Sequence, residues 1–348
     1  LWTRLLQTGL FGPAALGAAP VTVRWEVADD EGFTRIVRNG QAQALAELAH
    51  SVHVEVPGLA SDRWYFYRFM AGDAVSPVGR TRTFPAPGAI ASRLRVAYAS
   101  CQRWEHGYFS AWRHMRADAP DFVLFLGDYI YEYPNAVGAV RSPGGGWTVT
   151  LDDYRRRHAL HKSDADLQAM HAACPWFVTW DDHEVQNDYA GLTPGDGGPA
   201  VADFAARRAA AYQAFYEHQP IRVTPTPDSF ETLDLQRSLR FGTLADLAVI
   251  ETRQYADAPA CRTDASLISD EGPSCAALED PKRTNLGAAQ ESWLADTIAA
   301  SKGTWFVLCN PVMFASINTG TAEAPTYTRD VWDGYPAARQ RVIDAITA

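Results

Sequence analysis

Apolar segments that run directly into clusters of polar side chains dominate most of this sequence. They are Leu94–Ala99, Phe122–Leu126, Trp176–Trp180, Leu247–Ile250 and Trp305–Leu308. Helical patterns separate most of them, and buried strands that alternate with helices predict an α/β domain. Ligands of open α/β sheets bind beyond the carboxyl ends of the strands. The polar clusters should therefore meet at one edge and build a binding site there.

The first 88 residues follow a different pattern. The segments 21–27 and 52–56 place an apolar residue at every second position, as one face of a strand does. Trp64–Met70 is rich in aromatic residues and is followed by a turn signal. Short strands of this kind predict a small β sandwich of the immunoglobulin or fibronectin type. Pro85–Gly88 is a stiff linker, so we predict a β domain at 1–88 and an α/β domain at 89–348.

The second polar cluster contains Asp128 and, three residues later, Tyr131. This spacing can put a carboxylate and a phenolate on one metal ion. A phenol has an ordinary pKa of about 10, so it needs a strong Lewis acid such as ferric iron to become a ligand. The alternative is a strand-end turn in which the tyrosine packs in the core.

The third cluster, Asp181–Glu184, concentrates three carboxylates and an imidazole in four residues. Such repulsion is costly unless cations neutralise it, so Asp182 and His183 are candidates for a metal site. The alternative is an acidic, solvated loop, which is a poor fit directly after an apolar strand. Asn187 is a further candidate ligand in the same cluster.

Two more candidates follow other strands. Cys101 could hold iron or zinc as a thiolate, or it could be an ordinary core thiol. Arg253 could clamp a phosphate group through two hydrogen bonds, or it could form an ion pair with Glu251 or Asp257.

The overall charge restricts the partners. The chain carries 41 acidic and 31 basic residues, a formal net charge of -10. A field of this sign opposes binding to nucleic acid or to anionic lipid, so a phosphate-bearing substrate would need local positive charge such as metal ions. We predict no transmembrane segment, because no apolar run reaches about 18 residues. No pattern in the sequence predicts an oligomeric state.

Two of the five cysteines, Cys261 and Cys275, flank a polar surface segment. They fit either a disulfide and an oxidising compartment or two unpaired thiols. Cys174 and Cys309 lie beside apolar runs and should be buried. We interpret Leu5–Pro20 as a loop rather than a signal peptide, and we expect an export signal to precede Leu1.

Four motifs occur in an order that resembles the PhoD-type alkaline phosphatases of the metallophosphoesterase superfamily. They are Ser100–Gln102, Gly127–Glu132, Trp180–Glu184 and Trp332–Pro336. Leu1–Leu5 and Ser76–Pro85 are similar to the N-terminal β domain of that family. The resemblance covers nearly the whole chain, and the ordered set is more specific than any single motif.

The resemblance implies a four-layer α/β/β/α metallophosphoesterase domain in an exported enzyme that hydrolyses phosphomonoesters and phosphodiesters. It implies Fe³⁺ and, as the second metal, Ca²⁺. By position, the iron ligands are Cys101, Asp128 and Tyr131, with Asp128 bridging to the second metal. Asp182 becomes a ligand of the second metal and His183 the residue near the leaving group. Asn187, Arg253 and Asp333 are further candidates.

The expected mechanism is attack at phosphorus by a hydroxide that the metals activate, with His183 assisting departure and Arg253 holding phosphate oxygens. The superfamily closes its site with a late segment that contains a histidine. No such segment follows Asp333, so we expect a ligand outside these 348 residues. The alternatives are a glycoside hydrolase that uses paired carboxylates and a non-enzymatic cell-surface binding protein.

Overall fold

Antiparallel strands form the N-terminal part of the protein. The computed structural model describes residues 1–6, 16–223, 229–261 and 271–348. The strands are β1 (Trp2–Arg4), β2 (Val21–Ala28), β3 (Ile36–Ala44), β4 (Ser51–His53), β5 (Trp64–Ala71), β6 (Ala74–Val75) and β7 (Gly79–Arg82). One sheet has the order β3-β2-β5, and both β6 and β7 pair with β5. Strands β1 and β4 form a second, two-stranded sheet.

The predicted alternation of β2 is confirmed, since Val23 and Val27 are buried and Val23 packs in one cluster with Phe69 of β5. β4 is shorter than the alternation of residues 52–56 predicted. It pairs along the three residues of β1, from Trp2 opposite His53 to Arg4 opposite Ser51, and the ladder ends where β1 ends.

Two further sheets form the α/β part. Their strands are β8 (Val96–Ala99), β9 (Phe122–Leu126) and β10 (Trp176–Thr179) in the first sheet, and β11 (Arg237–Phe241), β12 (Ala245–Val249) and β14 (Trp305–Cys309) in the second. The first sheet is parallel with the order β10-β9-β8. In the second sheet β12 runs antiparallel to β11 and parallel to β14. A short pair joins β13 (Glu271–Gly272) to β15 (Tyr327–Thr328).

Helices cover the outer faces of both sheets. They are α1 (Ser110–Ala117), α2 (Leu151–His161), α3 (Ala165–Ala173), α4 (Phe204–His218), α5 (Gly287–Ala299) and α6 (Pro336–Thr347). Val123 and Phe125 of β9 pack against α1 to α4, whereas Phe122 and Leu124 pack between the sheets. Ala248 of β12 faces α5 and α6. The layers are therefore helix, sheet, sheet and helix.

Local differences from the sequence have clear causes. The helical pattern of residues 152–172 predicts one helix or two, and the structure has two. The second begins after Asp164, whose side chain accepts the backbone N–H groups of Asp166 and Leu167. Ser163 and Asp166 have the spacing of a capping box, but Ser163 does not cap α3, because its hydroxyl donates to Leu160 O at the end of α2. Strand β11 was not predicted, since Arg237 and Arg240 interrupt its apolar pattern.

Cys261 and Cys275 form a disulfide, and Cys174 and Cys309 are buried, as predicted. Within the loop predicted at 5–20, residues 7–15 lie outside the described residues. None of the helices in the described ranges is both long and apolar enough to cross a membrane.

Candidate metal centre

The carboxyl ends of β8, β9 and β10 bring the first three polar clusters together. These strands are parallel neighbours, so their last residues lie side by side. The ladder continues past the strands, with Cys101 N donating to Gly127 O at 3.1 Å. The cluster after β12 joins them through Arg253, which contacts Asp181. Asn310, after β14, hydrogen-bonds instead to Trp332 and Val312.

Asp128, Asp182 and His183 form the centre of the site. Each is buried and offers one ligand atom, and these atoms all lie within 4.8 Å of one another. Asp128 Oδ2 accepts a hydrogen bond from the Tyr131 hydroxyl at 3.0 Å. Asp128 Oδ1 is buried and has no hydrogen-bond partner among the described residues. A buried carboxylate oxygen without a donor fits a metal ion, which would supply the missing positive charge.

Cys101 and Tyr131 belong to the same group. The Cys101 thiol interacts with Asp128 and Tyr131. Burial, and to a smaller extent the charge of Asp128, raises the pKa of Cys101 to about 11. Burial and Asp128 also raise the pKa of Tyr131. Both groups are therefore protonated beside the carboxylate, and only a strongly polarising cation would convert them to thiolate and phenolate ligands.

Negative charge exceeds positive charge around this centre. Its carboxylates are Asp128, Asp181, Asp182, Asp188 and Asp330, and its cations are His183 and Arg253. Burial raises the pKa of Asp188 to about 9, and the charges of Asp330 and Asp182 add to that effect. Protons thus offset part of the charge, and metal ions would displace them on binding.

His183 and Asp182 shift in opposite directions. Burial alone would lower the pKa of His183, but Asp182, Glu132 and Asp128 together raise it well above the ordinary value. Burial alone would raise the pKa of Asp182, but His183 and Arg253 hold it below the ordinary value. The imidazole is therefore a cation, and Asp182 is the ionised partner.

Arg253 is buried and serves three carboxylates. Its Nε donates to Asp181 at 2.6 Å, one terminal nitrogen lies 3.1 Å from Asp330, and Asp182 is 3.8 Å away. Arg253 does form ion pairs, but not with Glu251 or Asp257 as the alternative predicted. Its partners are Asp181 and Asp330, and Glu251 accepts the backbone N–H of Arg253 instead. Asp330 is a site residue that the sequence analysis missed, and its position two residues before Trp332 was the available signal.

Three buried glutamates lie behind this group. Glu184 accepts the backbone N–H groups of Asp128 at 3.2 Å, Tyr129 at 2.6 Å and Asp181 at 2.9 Å. It thereby ties the end of β9 to the end of β10. Burial raises the pKa of Glu184 to about 7, and these backbone donors oppose the rise. A carboxylate with three backbone donors is satisfied as an anion and is not available for other chemistry.

Glu251 and Glu132 play comparable parts. Glu251 accepts Trp180 Nε1 and the backbone N–H groups of Arg253 and Gln254 at 2.9 to 3.1 Å. Glu132 Oε2 lies 2.7 Å from His183 Nδ1, and its Oε1 accepts the backbone N–H of Asn187 at 2.7 Å. Glu132 therefore fixes the orientation of the imidazole and leaves Nε2 as its other functional nitrogen.

Backbone strain is concentrated here. Cys101, Asp128 and Asp188 have φ values of 57 to 59°, in the left-handed region that non-glycine residues rarely adopt. Such conformations cost about 1–3 kcal/mol each and persist where surrounding contacts impose them. Gly127 has a φ of 99°, and a Cβ there would lie 2.6 Å from Asp181 N, so only glycine allows the two strand ends to approach this closely.

Two family models match the chain. Residues 96–348 match PhoD-like phosphatase, and residues 1–85 match PhoD-like phosphatase, N-terminal domain. The chain belongs to the PhoD-like phosphatase family. The resemblance inferred from the four ordered motifs is thereby confirmed.

Individual relatives agree with this membership. Alkaline phosphatase D of Bacillus subtilis (strain 168) is 48% identical over 351 residues, which cover 99% of this chain and 59% of the relative. The solved structure described as "Structure of PhoD" has a TM-score of 0.93 and 47% identity, and the match covers 99% of this chain and 66% of that one. The predicted fold class is confirmed. The chain spans about three fifths of the length of the curated relative it matches.

The remaining sequence candidates are Asn187 and Asp333. Asn187 is half-buried, and its backbone is held by Glu132 beside His183. Asp333 has both carboxylate oxygens engaged, one by Arg339 at 2.6 Å and the other by the backbone N–H of Ile317 at 3.0 Å. The alternative of a glycoside hydrolase could use Asp128, Asp181, Asp182 or Glu184. Glu184 is held by backbone donors and Asp181 by Arg253, and Asp128 and Asp182 share one candidate metal group with His183.

Proposed function

We propose that this protein hydrolyses phosphomonoesters, phosphodiesters or both, with the help of bound metal ions. The observation that carries the proposal is the buried group of Asp128, Asp182 and His183 within 4.8 Å, with Asp128 Oδ1 lacking a donor among the described residues. Family membership and the name of the bacterial relative support the same reaction class. The substrate is a phosphoester, and the net charge of -10 gives no reason to expect specific binding of nucleic acid.

The residues that would hold the metals are Cys101, Asp128, Tyr131, Asp182 and Asn187. Their donors are a thiol, a phenol, two carboxylates and an amide, a mixed set that suits one strong Lewis acid beside a harder cation. Bound metal ions would supply Lewis acidity for the phosphoryl oxygens and would lower the pKa of water towards neutrality.

His183 and Arg253 would act on the substrate itself. Glu132 holds Nδ1 of His183, so Nε2 is the nitrogen that can give a proton to the departing oxygen. Arg253 donates to Asp181 through Nε and to Asp330 through one terminal nitrogen, and its remaining N–H groups can hold phosphate oxygens through charge-assisted hydrogen bonds. Its burial fixes the direction of these donors before substrate arrives.

For the metals we propose Fe³⁺ and Ca²⁺, with iron on the side of Cys101 and Tyr131. A phenolate or thiolate on ferric iron absorbs visible light, so the protein as purified should be coloured and should contain iron. A colourless, fully active protein that contains only zinc would overturn this assignment.

The reaction is tested with 4-nitrophenyl phosphate and bis(4-nitrophenyl) phosphate on the whole protein, together with elemental analysis. We expect turnover of at least one substrate, loss of turnover with a chelator, and recovery when metal is restored. Asp344→Asn, at an exposed carboxylate on α6, is the matched control for carboxylate substitutions in the centre. A protein that retains full turnover after its metals are removed would contradict the proposal.

We further propose that residues 1–88 and 89–348 are two domains and that the protein is exported. Pro85–Gly88 and the ranges of the two family models support the division. The disulfide between Cys261 and Cys275 supports an oxidising compartment. Limited proteolysis at 85–88 and localisation of the natural protein test these two statements.

A further inference from the structure

A cavity of about 690 Å³ lies between the N-terminal sheet and helices α2 and α3, apart from the metal centre. Its walls are largely apolar and include the aromatic side chains of Trp2, Tyr67, Phe69 and Trp176. Cavities of about 300 to 1,000 Å³ with apolar walls and a few polar groups are typical binding sites for small molecules. The dimensions therefore suit a ligand with an apolar body.

The charge of this cavity is opposite to that of the protein. Arg4, Arg80 and Lys162 line it, and the described lining residues include no aspartate or glutamate. The whole chain has ten more acidic than basic residues. A lining that has three basic residues and no acidic residue among the described ones differs from the acidic average of the chain, and it favours an anion.

Lys162 is the cation best placed to meet a ligand. Its ammonium lies 3.5 Å from His171 Nε2 and stands over the rings of Trp2 and Tyr129 at 4.8 and 5.0 Å. No carboxylate of the described part of the chain pairs with it, and burial lowers its pKa to about 7. An ammonium placed among rings without a counter-ion is costly, and a bound anion would remove that cost.

Two neighbouring basic residues, unlike Lys162, have hydrogen-bond partners that hold them in place. Arg155, which lies on α2 ahead of Lys162, forms a bidentate pair with the buried Glu217 at 2.6 to 2.7 Å. Arg4 is likewise held, by Ala49 O at 3.0 Å and His218 Nε2 at 2.9 Å. Arg80, the third basic residue of the lining, stands over the ring of Trp64 at 3.7 Å. Lys162 has no comparable hydrogen-bond partner among the described residues, so its ammonium has free hydrogen-bonding capacity in the cavity.

We propose that this cavity binds a small amphipathic anion, with its charged head at Lys162 and its apolar body along Trp2 and Trp176. The head is a single carboxylate or a group of similar charge, and the body is an alkyl chain or ring of drug-like size. This site does not depend on the proposed phosphoesterase reaction, since none of the lining residues belongs to the metal centre.

The test is calorimetric titration of the whole protein with three probes of equal chain length below their micelle concentrations. The probes are dodecanoate, dodecanol and dodecyltrimethylammonium. We expect saturable 1:1 binding of dodecanoate, weaker binding of dodecanol and weakest binding of the cation. Equal binding of all three would show adhesion to an apolar surface and would overturn the proposal.

Two variants locate the site. Lys162→Met removes the charge and keeps an unbranched side chain one atom shorter, so it should weaken dodecanoate binding by about 10- to 100-fold, the range for a charge-assisted hydrogen bond, with little effect on dodecanol. Ala169→Trp, on the cavity wall, should block both probes. Lys282→Met, at an exposed lysine, is the matched control and should bind as the parent does. Unchanged dodecanoate affinity in either Lys162→Met or Ala169→Trp would contradict the proposed site.

Discussion

The glutamates and most of the aspartates of the candidate metal centre are buried, yet their surroundings differ. Glu184 and Glu251 each receive three hydrogen bonds from N–H groups of the chain. Asp128 accepts a hydrogen bond from the Tyr131 hydroxyl, and Asp188 shares one with Asp330. Asp128 Oδ1 has no partner in the described part of the chain, and neither has Glu251 Oε1, because all three donors of Glu251 reach Oε2. Burial raises the pKa of all four carboxyl groups, and in the glutamates the N–H donors oppose that rise.

This difference separates carboxylates that stabilise the fold from carboxylates that bind metal. A carboxylate that backbone donors surround is stable without any ligand, so its removal should damage the fold first. A carboxylate that lacks donors is stabilised when a cation arrives, so its removal should damage metal binding first. The two sets should therefore respond in opposite ways when activity and stability are measured together.

The largest expected effect is that of Asp128→Asn on activity. The amide cannot bridge two cations, so metal content should fall and turnover should drop by about 10⁴-fold or more, beyond the usual contribution of one acid–base group. Stability of the metal-free protein should stay the same or rise, because a poorly compensated buried charge is gone. Arg253→Ala should cost less activity, because it removes charge-assisted contacts and leaves the metals in place.

The measurements are elemental analysis, turnover of 4-nitrophenyl phosphate and urea unfolding, with Asp344→Asn as the control. If Arg253→Ala is the more damaging change while both variants keep their metals, the roles of the two residues are reversed.

His183→Ala should have the next largest effect, and that effect should depend on the leaving group. A proton donor matters most when the departing oxygen is a poor leaving group, so alkyl phosphates should lose about 10²- to 10⁴-fold and 4-nitrophenyl phosphate much less. A series of esters with graded leaving-group pKa values measures this slope. Equal losses across the series would assign His183 to metal binding or to structure.

Glu184→Ala should reverse the pattern of Asp128→Asn. Three backbone N–H groups would lose their acceptor, and at about 1–3 kcal/mol for each buried group the free energy of unfolding should fall by at least about 3 kcal/mol. Glu184→Gln keeps one acceptor oxygen and should lose about half as much. Urea unfolding of the two variants gives this gradation. Stability equal to the parent in both would refute the supporting role.

The sequence allowed the general arrangement to be predicted but not this division of labour. Asp128, Asp182 and Cys101 follow apolar strands, and parallel strands must end side by side. The role of Glu184 depends on the turn after β9, where Gly127 and Asp128 adopt positive φ values and the N–H groups of Asp128 and Tyr129 point at the carboxylate. No spacing of residues specifies such a turn.

Strand β11 and the cavity could not be predicted from the sequence either, because both depend on contacts between distant segments. Strand β11 contains arginines that hydrogen-bond within the fold, such as Arg237, which donates to Val178 O. These arginines interrupt the alternation of apolar residues that would have predicted a strand. The cavity combines Trp2 with Lys162, which are distant in sequence and meet only because the N-terminal sheet packs on α2 and α3. Long-range packing of this kind leaves no local pattern.

Glu132→Gln should have the smallest of these effects and gives the sharpest test of the comparison. Glu132 differs from the other two glutamates because one of its oxygens holds a backbone N–H and the other holds His183. Glutamine can accept only one of these two bonds, so the imidazole should lose its fixed orientation. Loss of such an outer partner typically costs about 10- to 100-fold in activity or metal affinity.

A double-mutant cycle distinguishes positioning from a purely structural role. If Glu132 acts through His183, Glu132→Gln should reduce turnover of alkyl phosphates in the parent and add almost nothing in His183→Ala, because the group that it orients is already absent. Its leaving-group slope should also move towards that of His183→Ala. Urea unfolding of each variant accounts for any loss of folded protein. Additive losses, or an unchanged slope, would mean that Glu132 supports the backbone as Glu184 does. The distinction between supporting carboxylates and metal-binding carboxylates would then rest on Asp128 alone.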